Sequence, residues 1–157
     1  MKRMLLFVAL AVMAIAATPV VAGAAPTFEK ADGTGESPEY GAVHVNAKDQ
    51  GDGPRGHWFV SDAVGTPFQG DVTCLRQEGN TALVGGLGRN EVAPGVLLPI
   101  LIEVVDNGQP GHGADQHRWR FAFPDEVADP DCADFGDNPP RANIVRGNYV
   151  VPTGSGG

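Results

Sequence analysis

From residue 41 onward, apolar residues return at every second position in short bursts, and Gly, Pro, Asn and Asp break the bursts about every ten residues. A repeat of two is that of a β-strand with one face against a core. Val43 and Val45 face one way, with His44, Asn46 and Lys48 opposite. Asp49 to Gly56 has the composition of a turn, and His57 to Val60 reads as a second strand. Val72–Gln77 and Thr81–Leu87 form a hairpin about Glu78-Gly79-Asn80, with Gly79 supplying an angle most residues avoid. In Leu97–Val105, the residues Leu98, Ile100, Ile102 and Val104 make one wholly apolar face, and Leu101 and Val105 partly fill the other. That is a central, mostly buried strand. His117, Trp119, Phe121 and Phe123 share a face opposite Arg118 and Arg120, which makes Trp119 a core residue. Gly147–Val151 is the last strand. Beyond the N-terminus no helical repeat persists for three turns. The expectation is a small all-β antiparallel domain of about seven strands, either a sandwich or an open barrel.

The chain opens on the basic Met1-Lys2-Arg3-Met4, followed by an apolar run from Leu5 to Ala17 and the small residues Ala22-Gly23-Ala24. Basic start, apolar middle and A-x-A exit are the parts of a secretory signal peptide, with cleavage after Ala24. Pro19 interrupts the run, which falls short of the ~20 apolar residues that span a bilayer. No membrane span is expected in the mature chain. Residues 1–24 are thus assigned as signal peptide, 25–39 as a flexible leader, 40–151 as the β domain and 152–157 as a disordered tail.

Removing 24 of 157 residues leaves enough chain for one core and too little for two. Asp and Glu number 19 against 11 Lys and Arg, and the signal peptide takes two of those cations with it. Such a surface repels phosphate backbones and anionic lipids, so nucleic acid is excluded as a partner. Cys74 and Cys132 form an even pair in an exported chain, without C-x-x-C spacing, which points to a structural disulfide.

The segments Asp71-Val72-Thr73-Cys74-Leu75 with Gly79-Asn80-Thr81-Ala82, Val104-Val105-Asp106-Asn107-Gly108-Gln109-Pro110-Gly111, Arg146-Gly147-Asn148 and Gly53-Pro54-Arg55-Gly56-His57 carry a resemblance. Together they resemble a family of small secreted β domains of actinobacteria and related Gram-positive bacteria. The similarity covers residues 41–151. That family has Glu where this chain has Gln109, which removes a carboxylate from the loop. The resemblance implies the fold and export and transfers no activity.

The loop from Asp106 to Asp115 offers Asp106, Asn107 and Asp115 as hard oxygen ligands for Ca²⁺. The competing reading is a turn in which Asp and Asn bond the local backbone. Asp125, Glu126, Asp129, Asp131, Asp134 and Asp137 form an acidic stretch without the EF-hand order, read as a solvated loop tethered by Cys132. His44, His57, His112 and His117 lack H-x-H or H-E-x-x-H spacing. Ser37, Ser61 and Ser155 lie outside any G-x-S-x-G context, with Ser37 in the leader. The favoured reading is a secreted, non-catalytic extracellular or cell-envelope domain with a binding or structural role. One alternative is a small metal-dependent hydrolase using Asp106, Asp115, His112 and His117. Another is a secreted inhibitor or protein-binding module.

Overall fold

The computed structural model describes residues 28–90, 93, 95–108, 115–136 and 139–153. Residues 1–24, read as a signal peptide, the expected cleavage point after Ala24 and residues 154–157 lie outside the described residues, as do His112 and Asp137. The described chain forms ten strands: β1 (Glu29–Ser37), β2 (Gly41–Asp49), β3 (Arg55–Ser61), β4 (Pro67–Asp71), β5 (Cys74–Glu78), β6 (Thr81–Asn90), β7 (Leu97–Val105), β8 (Gln116–Phe121), β9 (Ala142–Asn143) and β10 (Arg146–Val150). A single 3-10 turn, Pro124–Glu126, follows β8. All pairings are antiparallel, in the order β10-β1-β2-β3-β4-β6-β7-β8-β9, with β5 also on β6. The architecture is one curled half-barrel sheet, not a sandwich, and the strand number exceeds the seven expected by β1, β4 and β9.

Residues 29–37, expected as flexible leader, are strand β1 and pair with β2 along its whole length, from Glu29↔Asp49 to Ser37↔Gly41. The leader assignment stopped too late because β1 turns Ala31, Gly33, Gly35 and Ser37 to one face and shows no apolar alternation. Its small face makes room for a neighbour. A Cβ on Gly35 would collide with the phenol of Tyr149, which fills that volume from β10.

Inside the curl lies the main core, built from Val43, Val45, Trp58, Val60, Val84, Ile100, Ile102, Val104, Trp119 and Tyr149, among others. Each such residue, taken fully out of water, contributes roughly 1.5–3 kcal/mol. Trp119 is core, as its alternation predicts, and its indole N–H donates to the Tyr40 carbonyl at 2.9 Å. The pattern stops sooner than expected, since β8 ends at Phe121. Phe121 and Phe123 are exposed, and Phe121 stands at the rim against Phe68 and Trp119.

A second, smaller core lies on the outer face of β5–β7. Leu83 and Leu101 meet Cys74, Cys132, Val127 and Phe135 there. The Cys74–Cys132 disulfide is present, with Cα atoms 5.0 Å apart. The acidic stretch is therefore held both by a covalent bridge and by Val127 and Phe135, its own apolar residues. It covers β7 and β8, which is why Arg118, on the outward side of the β8 alternation, is nonetheless buried.

β4 and β5 share one edge of β6: Phe68–Gly70 pair with Gly88–Asn90, and Cys74–Glu78 with Thr81–Gly85. The chain changes place at Asp71–Thr73, opposite Gly86. A Cβ on Gly86 would run into the Asp71 carbonyl and Trp58 Nε1, so this fork requires glycine. At the β5–β6 turn, Gly79 has φ +60°, the conformation expected of it.

Candidate functional site

Four of the polar residues that sequence singles out, Ser37, Asp106, Asp115 and His117, come together at one place, where the two ends of the curled sheet meet. The C-terminal segment pairs first with β8, through Gln116↔Asn143 and His117↔Ala142, and then with β1, from Asp32↔Val150 to Glu36↔Arg146. Side chains join what no continuous ladder joins. Buried Asp115 accepts the Asn107 N–H on one carboxylate oxygen at 2.9 Å and the Tyr149 N–H on the other at 2.8 Å. Asp106 accepts the Gly108 N–H at 2.8 Å and the Val151 N–H at 3.0 Å. His117, wholly buried on β8, has Nδ1 2.7 Å from the Tyr149 hydroxyl and Nε2 2.8 Å from Ser37 Oγ.

The electrostatics follow from burial. Desolvation pushes the His117 imidazole down to about 4, so the ring is neutral at pH 7. A neutral imidazole, donor at one nitrogen and acceptor at the other, satisfies both hydroxyls. Burial, and then the charge of Asp115, raises the Tyr149 phenol above its ordinary value. A serine hydroxyl on an imidazole nitrogen is the contact of an activated nucleophile. Here, however, Ser37 is buried and its Oγ also accepts the Tyr40 N–H at 3.1 Å. Ser37 thus belongs to the folded core rather than to a leader.

Asp106, Asn107 and Asp115 are neighbours, as a Ca²⁺ loop would need, but each carboxylate oxygen of the two aspartates already takes a backbone N–H. His117 has both ring nitrogens engaged. Among the described residues, no group of three or more His, Cys, Asp or Glu is arranged to hold a metal ion.

Two concave surfaces lie on the outside of the sheet. The first, of about 350 Å³, runs beneath the tethered loop and is lined by Arg76, Glu103, Arg118, Asp134, Phe135 and Arg141. Buried Glu103, within the most apolar strand, receives Arg118 Nε at 3.1 Å and Nη2 at 2.9 Å, and also Arg141 Nε. Burial drives the Glu103 carboxyl up, but the hydrogen bonds from Arg141 and Arg118 outweigh it and hold the group below its ordinary value. Arg118 further donates to the Pro139 carbonyl at 2.7 Å and lies 4.2 Å over the Phe135 ring. Arg76 binds the Asp134 carboxylate at 2.5 Å, and its Nε faces Glu78 at 3.3 Å. Every cation in this groove has an anion.

The second groove, of about 560 Å³, lies across β3, β4 and β6 and reaches the start of β7, lined among others by His57, Phe59, Asp71, Leu87, Arg89 and Leu97. Leu87 and Leu97 are apolar yet 41% and 51% exposed. Arg89 pairs in register with Gln69 and Leu97, and among the described residues no carboxylate lies within ion-pair distance of it. Sequence reasoning missed both grooves, because β4 was unseen and Glu103–Arg118 pairing depends on the β7–β8 register.

Compared with known proteins, the chain matches no family model, no curated protein and no solved structure. Among the described residues, no helix is long and apolar enough to cross a membrane.

Proposed function

We propose that this chain is an exported, non-catalytic binding domain, acting outside the cell or at its envelope, with the groove over β3, β4 and β6 as its recognition surface. One observation carries the reading. The groups able to do chemistry, Ser37, His117, Asp106 and Asp115, are spent on closing the sheet, whereas this groove leaves apolar Leu87 and Leu97 beside polar Asp71 and Arg89 in solvent. A concave surface of several hundred Å³ mixing apolar walls with a few polar groups is the usual form of a ligand site. It suits a partner that presents an apolar group flanked by an anion, such as a short protein segment. The disulfide accords with an oxidising compartment.

Protein recovered from culture medium should begin at Ala25 or Pro26 by intact mass. The binding reading is tested by exposing the mature chain to envelope and culture fractions, beside Leu87→Asp/Arg89→Ala and, as a control in the other groove, Arg141→Ala. A ligand retained by the wild type and by the control, but lost from the groove variant, supports the reading. Equal retention by all three, or turnover of an ester or amide panel that His117→Ala abolishes, contradicts it.

A further inference from the structure

The β2–β3 register sets Asn46 opposite His57 and His44 opposite Phe59, so the two histidines are diagonal neighbours on the outer face of the sheet. Their ring centroids lie 5.6 Å apart with the planes tilted by 32°. His57 is exposed and His44 half-exposed. We propose that His44 and His57 form a chelating site for a borderline transition-metal ion of the Zn²⁺ or Ni²⁺ type, with water completing the coordination.

The geometry fits the chemistry. A metal sits about 2.0–2.1 Å from an imidazole nitrogen, which places it about 3.2 Å from the ring centre, so two imidazoles at a tetrahedral angle have centres about 5 Å apart. The observed centroid spacing of 5.6 Å is close to that separation. Both residues sit on strands locked by neighbours on either side, β1 beyond β2 and β4 beyond β3, so little backbone ordering remains to be done on binding. Asp71 stands directly across from His57 on β4, and Asn46, in the same row, donates to Asp32 at 3.4 Å. The row of His57 has a carboxylate on either side, Asp32 and Asp71, while cations stand further out, Lys30, Lys48 and Arg55 in the next row and Arg89 across from Gln69. Imidazole ligands select Zn²⁺, Ni²⁺ or Cu²⁺ over Ca²⁺. With only two protein ligands, the site keeps open positions for a donor from another molecule. His57 and Asp71 also line the groove across β3, β4 and β6, but the metal site rests on the strand register and its titration does not depend on the groove's having a ligand.

Tag-free mature protein would be titrated with Zn²⁺ and with Ni²⁺ by calorimetry and by imidazole-detected NMR, together with His44→Ala and His57→Ala. Both substitutions are on the surface, and an unchanged far-ultraviolet spectrum confirms their fold. Expected are one ion per chain, shifts confined to the His44 and His57 rings, and weakening of at least about tenfold in either variant, since even the loss of a ligand's supporting partner costs about 10–100-fold. No saturable binding, binding unchanged in either variant, or shifts centred on His112 or His117 would overturn the assignment.

Discussion

At the scale of single residues, a few buried polar groups carry much of the specificity of this fold. His117 makes its stability depend on pH. The imidazole has a value of about 4 when folded and near 6.5 when unfolded. Above pH 6.5 neither state is protonated and the folded state has its full stability. As pH falls from 6.5 to 4 the unfolded chain takes up the proton and the folded one does not, so stability drops by about 3 kcal/mol in total. Glu103 acts in the same direction below its ordinary pKa of 4.5, where the unfolded chain is protonated first. Urea unfolding at pH 7.5, 5.5 and 4.5 should show this decline, and His117→Gln should flatten the part above pH 5. A second expectation concerns Arg118. Truncation to Ala leaves Glu103 buried with Arg141 alone, which should cost about 3–5 kcal/mol. Replacing Arg118 and Glu103 together by Leu should cost less, because no buried charge is then stranded. Denaturant midpoints of the two variants decide it.

At the scale of elements, the strands visible in the sequence are those whose inward residues are large. β2, β3, β6, β7 and β8 turn Val, Trp, Ile or Leu to the core, and alternation finds them. β1 does not, and β4 turns only one large residue, Phe68, to the core. The inward residues of β1 are small because Tyr149 occupies their space, and Gly70 of β4 lies under the Trp58 ring. Neither strand therefore shows a large-residue alternation that would announce it. The site residues divide in the same way. Asp106 and Asp115 stand out in the sequence as a ligand-rich loop, but their bonds to the Val151 and Tyr149 amides depend on the path of the C-terminal segment. The tethered loop gives the element-scale prediction. Closing a separation of 58 residues stabilises by roughly 4 kcal/mol on the chain-entropy model. Cys132→Ser with Cys74→Ser should lower stability toward that amount and speed amide exchange at residues 127–135 before the rest. Val127 and Phe135 should keep part of the protection, since their burial needs no covalent bond. Unchanged stability and exchange would mean that the small outer core alone holds the loop.

At the scale of the whole molecule, the sheet curls until its two ends meet, and a C-terminal segment crosses the gap. The central claim is that Asp106, Asp115 and His117 close this seam rather than hold a metal or perform catalysis. Asp115 and Asp106 take the backbone N–H groups of Tyr149 and Val151, far away in sequence, and His117 meets the hydroxyls of Tyr149 and Ser37, so the seam is open to direct measurement. Amide exchange at Tyr149 and Val151 should be slow in the mature wild-type protein and unchanged after exhaustive chelation. In Asp115→Ala the Tyr149 amide should exchange at least about tenfold faster, as expected for the loss of a hydrogen bond to a charged group, about 1.5–3 kcal/mol. If chelation alone speeds exchange at these amides, or if Asp115→Ala leaves the Tyr149 amide protected, the seam is held by something other than these carboxylates and the account is wrong.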